Sequence, residues 1–188
     1  MRVNISDVDC VEAYAKHKNL KLAADAIGMK WQTLYVRLRN NGVAVIGDKA
    51  KYGSLSDRAG AKGEKYFSSL VPRAIDQNKS KFQAPVDFDV DGILVDVKAS
   101  LKRSSSKRTS AMRWSFSISR QVTKCDFFVF VAYNEAFSDA EKVFLIPAEL
   151  VRNLQTITIS ATGASKWDDY RVEPEELAEF FSDLAGVN

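Results

Sequence analysis

Pro85-Val86-Asp87-Phe88-Asp89-Val90-Asp91-Gly92-Ile93-Leu94-Val95-Asp96-Val97-Lys98 is the stretch on which the reading of this chain turns. Asp-Gly is a strong two-residue hairpin turn, and side chains alternate between faces along a strand. With Asp91-Gly92 as the loop, Val90 faces Ile93, Asp89 faces Leu94, Phe88 faces Val95 and Asp87 faces Asp96. One face then carries Val86, Phe88, Val90, Ile93, Val95 and Val97, all apolar and suited to a core. The other carries Asp87, Asp89, Asp96 and Lys98, with Leu94 its one apolar member. Two carboxylates directly across a strand pair repel and weaken the sheet, and a divalent cation between them removes that penalty. Oxygen-only ligands suit a hard ion such as Mg2+, which takes one or two carboxylates, several waters and substrate phosphate. Lys98 points into the same site, where an ammonium can orient an attacking water or stabilise charge on a transferring phosphoryl group.

Pro85-Val86-Asp87 followed by Val95-Asp96-Val97-Lys98 resembles the signature of the PD-(D/E)xK nuclease superfamily. The helix that often precedes the hairpin in that superfamily, with its glutamate, is matched by Gly63-Glu64-Lys65-Tyr66-Phe67. Glu64, Phe67 and Val71 fall at i, i+3 and i+7, which predicts the Glu64 carboxylate on the inward stripe of that helix. Trp114 to Ser119, Asp126 to Val131 and Val143 to Pro147 resemble the later strands of small members, some homing endonucleases and junction-resolving enzymes among them. The resemblance spans residues 57 to 160 and implies an α/β fold, a restriction-endonuclease-like mixed central sheet flanked by helices. It implies Mg2+ as cofactor, with Mn2+ able to substitute. The ligands would be Asp87, Asp96, the Val97 carbonyl and Glu64, and Glu64, Asp87, Asp96 and Lys98 would be the catalytic set. Asp89 is expected as a more distant or alternate ligand. Many small members carry Glu or Gln where Asp96 stands, and the shorter aspartate leaves the number of metals open.

Composition fits a compact soluble protein: 188 residues, 46% hydrophobic and 27% charged, enough for one good core and a small appendage. The sequence predicts no membrane span and no signal peptide, hence a cytoplasmic chain. Cys10 and Cys125 lie far apart and form no CxxC pair, so both are expected as small core fillers. No Gly-rich phosphate loop, GxSxG elbow or HExxH occurs, which argues against an NTPase, a serine hydrolase and a zinc peptidase and predicts no nucleotide cofactor.

The net charge of +3 is unevenly spread. Val97 to Cys125 holds no acid, while Lys98, Lys102, Arg103, Lys107, Arg108, Arg113, Arg120 and Lys124 accumulate there. A basic segment beside a carboxylate site suits a phosphate backbone. Its Ser-rich portion, Lys102 to Ser110, lacks periodicity and is predicted to be a mobile loop. Arg113, Arg120 and Gln121 are further candidates for phosphate or water contacts. Pro174 to Leu184 is predicted as an acidic amphipathic helix packing through Leu177, Phe180, Phe181 and Leu184.

The first 42 residues carry a second pattern, with helices expected over Asp9–His17, Leu20–Ile27 and Trp31–Arg39 and a tight turn at Gly28-Met29-Lys30. This resembles a helix-turn-helix DNA-binding domain: the glycine permits the turn, small Ala24 permits close crossing, and Leu34 and Leu38 form a core pair. Such a unit lays its third helix in the major groove, with Gln32 and Thr33 near base edges and Lys30, Arg37 and Arg39 at phosphates. Trp31 and Tyr35 are expected to pack, and His17 to cap a helix end. Residues 43–56 are read as a linker and 57–188 as the nuclease domain.

The sequence therefore points to a Mg2+-dependent DNA endonuclease, acting on duplex or branched DNA and targeted by its N-terminal domain. A homodimer fits, since one site cuts one strand. The alternatives are a structure-specific junction resolvase and a catalytically silent DNA-binding regulator; an RNA-acting enzyme of the same fold stays open, because a metal site does not read the sugar. A phage or mobile-element setting follows from the resemblance alone.

Overall fold

A turn of two left-handed residues, Asp91 at φ 53 and Gly92 at φ 91, closes the hairpin. A computed structural model describes residues 5–45, 48–79, 84–106, 109–118 and 124–186. Across that turn Val90 pairs with Ile93, Asp89 with Leu94 and Phe88 with Val95, in the predicted register. The chain divides into two compact units, Met1–Ser54 and Leu55–Asn188.

In the larger unit, a helix α5 (Leu55–Leu70) is followed by strands β1 (Ile75–Asp76), β2 (Phe88–Val90) and β3 (Ile93–Leu101). Strands β4 (Arg103–Ser106), β5 (Thr109–Ser117), β6 (Phe127–Tyr133), β7 (Ala140–Pro147), β8 (Thr156–Ser160) and β9 (Arg171–Val172) come next, and helix α6 (Glu176–Leu184) comes last. Six strands form a mixed sheet in the order β1-β2-β3-β6-β7-β9, and β3 runs parallel to β6. A second, three-stranded sheet has the order β4-β5-β8.

Strand alternation divides the core between the two faces of the main sheet. Val95 and Val97 of β3 and Val129 and Val131 of β6 pack with Phe67 and Val71 from the α5 segment and with Leu177 and Phe181 of α6. Phe128, Phe130 and Ala132 of β6 pack instead with Trp114 and Phe116 of β5 and Ile157 and Ile159 of β8. Phe116 stacks on Phe130 with ring centroids 4.5 Å apart. The mixed central sheet is thus as expected, with helices on one face, and the second sheet, which the sequence did not suggest, covers the other.

Three local expectations also change. The predicted loop at 102–110 contains β4 and the start of β5, pairing Arg103 with Arg113, Ser104 with Met112 and Ser106 with Thr109. The strand periodicity that continues through Trp114 and Phe116 supplies an inward face for the partner strand to share. Val86, expected with Phe88 and Val90, lies in the other core with Trp114, because the chain leaves the ladder before Phe88. On α6, Leu177 and Phe181 are buried but Leu184 is exposed at the helix end.

The smaller unit holds α1 (Asp7–His17), α2 (Leu20–Ala26), α3 (Trp31–Asn40) and a single turn α4 (Lys49–Tyr52). Among the described residues the chain has six helices in all. Ser6 and Asp9 form a reciprocal capping box at the start of α1, and Asn19 caps α2 through the Leu22 N–H. Gly28, at φ 65, makes the turn between α2 and α3, and Ala24, Leu34 and Leu38 are buried with Cys10 and Tyr14. Val43 and Val45 pack on this core, and the Asp48 N–H donates to the Lys18 carbonyl at 2.9 Å. The stretch expected as a linker is therefore largely part of the N-terminal unit. Among the described residues no helix is long and apolar enough to cross a membrane.

Candidate active site

Asp87 lies just beyond the end of β2, where β3 continues without a hairpin partner. Its Oδ2 accepts the Val97 N–H at 2.9 Å, its Oδ1 accepts the Asn78 side-chain amide at 3.1 Å, and its carbonyl accepts the Gln77 N–H at 2.9 Å. Asn78 sits in a short 3-10 turn, Gln77–Lys79, and its own N–H donates to Asp76 Oδ1 at 2.9 Å. Nothing in the hairpin sequence pointed to Asn78, because the contact depends on a connection between β1 and β2 that has no period.

On β3, Asp96 and Lys98 lie on the face opposite Val95 and Val97, and so opposite α5. Asp96 is 1% exposed and is the one fully buried charged side chain among the described residues. The Lys98 ammonium is ion-paired with Asp96 Oδ2, and that oxygen accepts no hydrogen bond of good geometry. Burial pushes the Asp96 carboxyl up to about 7, the neighbouring charge of Asp87 adds to the rise, and Lys98 opposes it. The effect of Asp87 on Asp96 places both carboxylates in one electrostatic site. In a strand the N–H and C=O of a residue share an edge. Since the Val97 N–H reaches Asp87, its carbonyl lies on the same open edge.

Two expected members of the site are placed differently. Asp89 Oδ1 accepts the Gly92 N–H at 2.7 Å, so this acid closes the hairpin turn. Glu64 is half-buried on the flank of α5, whose inward line runs through Ala59, Gly63 and Phe67. A Cβ on Gly63 would come within 2.8 Å of the Ala99 Cβ, which shows how closely that line approaches β3. The i, i+3, i+7 pattern drew the stripe one residue too far round, because the decisive contact is made by a glycine. Among the described residues no three Asp, Glu, His or Cys side chains gather closely enough to hold an ion. Glu64 is thus not drawn into a three-acid cluster with Asp87 and Asp96 among the described residues.

The candidate donors are two carboxylates that sense each other's charge and one carbonyl on the same strand edge, all oxygen. This donor chemistry fits Mg2+, which draws much of its coordination from water and substrate phosphate.

Beside the site, Cys125 is buried, and its thiol is pushed up to about 12, first by burial and then by the charge of Asp96. It lines a 590 Å³ cleft at the ends of β6 and β7 with Lys124 and Arg152, though neither Asp87 nor Asp96 does. Arg152 was not singled out by the sequence, since it stands apart from the basic segment.

Within that segment, Lys102 binds both carboxylate oxygens of Glu141, at 3.0 and 2.9 Å, and lies over the Trp114 ring. Arg103 and Arg113 are exposed and stand directly opposite each other. Lys107, Arg108, Arg120 and Gln121 lie outside the described residues.

In the N-terminal unit Lys30 precedes α3, and Gln32 and Thr33 are exposed in its first turn. Arg37 donates to the Ile5 carbonyl at 2.6 Å and lies 3.5 Å from Asp7, so it ties α3 to the start of α1. Arg39 donates to the Tyr35 hydroxyl at 3.2 Å. Trp31 and Tyr35, expected to pack, are 43% and 37% exposed, because Leu34 and Leu38 alone of α3 turn fully inward.

No family model and no curated protein matches the chain. Among solved structures it is similar to a bacterial homing endonuclease, I-Ssp6803I, with 18% sequence identity and a TM-score of 0.45, over 69% of this chain and 96% of that one.

Proposed function

We propose that this protein is a Mg2+-dependent DNA endonuclease that hydrolyses phosphodiester bonds at the Asp87–Asp96–Lys98 site. The observation that carries the reading is the buried Asp96, ion-paired with Lys98 and raised by the charge of Asp87. A buried carboxylate raised by a second carboxylate destabilises a fold, and perturbed acids of this kind cluster at functional sites. Asp87, Asp96 and the Val97 carbonyl would hold Mg2+, with Mn2+ as a substitute; when bound, the ion supplies Lewis-acid stabilisation of phosphoryl charge. Asn78 and the Val97 N–H fix the Asp87 carboxylate in orientation. Lys98 carries the remaining work: its ammonium orients the attacking water in line with the leaving oxygen and stabilises charge on the phosphoryl oxygens.

The N-terminal unit would act as a helix-turn-helix that targets the enzyme, with Gln32 and Thr33 toward base edges and Lys30 and Arg39 toward phosphates. Arg37, committed to Ile5 and Asp7, serves the unit's own packing. Cutting both strands would call for two copies of the site, hence a homodimer on duplex DNA.

The test is cleavage of supercoiled plasmid and of a four-way junction with Mg2+ or Mn2+, comparing wild type with Lys98→Ala and Asp96→Ala. Metal-dependent nicking lost in both variants is expected, and preference for the plasmid separates a duplex cutter from a resolvase. DNA binding unaffected by EDTA, with no cleavage under either ion, would replace the nuclease by a silent regulator.

A further inference from the structure

The second sheet has an outward face that the core does not use. On β5, Trp114 and Phe116 point inward, while Arg113, Ser115 and Ser117 are exposed. On β8, Ile157 and Ile159 point inward, while Thr156 and Thr158 are exposed. Register places these side chains in rows: Arg103–Arg113–Ser160, then Ser115–Thr158, then Ser117–Thr156. The Ser115 and Thr158 hydroxyls lie 3.4 Å apart, which confirms the shared face. These rows contain two arginines, five hydroxyls and no acid.

Arg103 is set directly opposite Arg113. Both also line a 290 Å³ cleft with Ser100, Ser104 and Ser115, whose lining includes no carboxylate. The edge of this sheet meets the strand that carries the proposed active site. Ser100 shares a strand face with Asp96 and Lys98, two residues beyond Lys98 or roughly 7 Å along the strand, and its Oγ accepts the Ser115 N–H at 3.0 Å.

We infer that the outward face of the β4-β5-β8 sheet is the surface on which duplex DNA docks for cleavage. The inference rests on the nuclease reading and adds where the substrate lies. Charge and chemistry select the occupant. The rows carry no large apolar side chain for a protein partner to bury, whereas nucleic-acid interfaces are polar, positive and rich in Ser, Thr and Arg contacts to phosphates and base edges. A β-ribbon also fits the width of the major groove.

The test is equilibrium binding of the full chain to a random-sequence 30-bp duplex in EDTA, by fluorescence anisotropy across a salt series. Thr158→Glu puts an acid at the centre of the rows and weakens binding by about tenfold or more. Arg103→Gln with Arg113→Gln lowers the slope of log K against log salt by about two, since each phosphate contact contributes about 0.9. Ser68→Glu, exposed on α5, is the control and leaves binding unchanged. A thermal melt of each variant confirms folding, and Thr158→Lys, which should tighten binding, replaces Thr158→Glu if that variant fails to fold. Wild-type binding that none of these substitutions moves overturns the docking face and leaves the nuclease reading intact. If the wild type neither binds duplex nor nicks plasmid, both fall together.

Discussion

Replacing Asp96 by Asn separates what this residue costs the fold from what it does for the site. Its carboxyl titrates near 7 in the folded protein against an ordinary value of 3.8, because burial and Asp87 disfavour the charge more than Lys98 favours it. A raised folded value means that the folded state holds the proton more tightly than the unfolded state. The contribution is therefore fully present below about pH 4 and is lost as pH rises through 7. The rise from 3.8 to about 7, at about 1.4 kcal/mol for each tenfold gain in proton affinity, sets a loss of about 4 kcal/mol between pH 4 and pH 8. Asn mimics the protonated acid in shape and cannot ionise, so the variant should lack this loss. The assay is urea unfolding in EDTA at pH 5 and pH 8.5, followed by tryptophan fluorescence, to which the buried Trp114 and Trp167 contribute. The difference between wild type and Asp96→Asn across the two pH values reports the ionisation of Asp96 together with the Asp87 and Lys98 charges coupled to it. Wild type should lose about 3 kcal/mol more than the variant on going from pH 5 to pH 8.5, the part of the loss that falls above pH 5. Adding Mg2+ at pH 8.5 should recover part of that loss in wild type alone. Parallel pH dependence in the two proteins would refute the claim that Asp96 is a strained, buried charge.

Three further outcomes follow from single contacts. Gly63→Ala should lower the melting temperature despite the roughly 1 kcal/mol helix preference for Ala, because its Cβ meets the Ala99 Cβ at 2.8 Å, and such overpacking costs about 1–3 kcal/mol. Asn78→Ala should reduce the plasmid-nicking rate about 10- to 100-fold, as expected when a group orienting a metal ligand is lost, with a stability change of only about 1 kcal/mol. Glu64→Gln should reduce nicking less than Asp87→Asn does, since Glu64 joins no three-carboxylate cluster; equal losses in the two would restore it to the metal site.

The hairpin and its register were legible because both follow from local rules, a two-residue turn with φ above zero and a strict alternation. Asp96 and Lys98 were legible for the same reason. Much of what went unread depends on contacts between distant elements. The inward line of α5 passes through Gly63, a residue with no hydrophobic signal of its own, so periodicity favoured Glu64. Residues 102–110 look like a loop by composition, yet β4 gains its structure from pairing with β5, which in turn pairs with β8 about forty residues later. Asn78 comes to Asp87 through an irregular turn. The exposure of Trp31 and Tyr35 reflects a three-helix unit small enough that Leu34 and Leu38 fill its share of α3.

The alternation of β3 gives its two faces separate duties. Val95, Val97 and Ala99 turn toward α5 and α6, where Gly63 allows the helix to press against the strand. Asp96, Lys98 and Ser100 turn the other way, toward the second sheet. The apolar side anchors the strand tightly, with Phe67 against Phe88 at 5.0 Å and against Phe181 at 5.9 Å. Dense packing of this kind resists local relaxation, so the polar side cannot move away to rehydrate Asp96. A strand held on one face by aromatic packing can keep a carboxylate buried on the other at a cost of several kcal/mol. The same rigidity keeps the Val97 N–H on Asp87 and keeps Lys98 against Asp96 before any substrate arrives. Preorganisation of this kind is what phosphoryl chemistry requires, since positioned charge acts on the transition state without reorganising. Loosening the helical face should therefore impair the chemistry before it unfolds the protein. Phe67→Leu, which leaves the site residues untouched, is expected to slow nicking at temperatures where the variant remains folded. Nicking that declined only in step with the folded fraction would show that the two faces of β3 act independently.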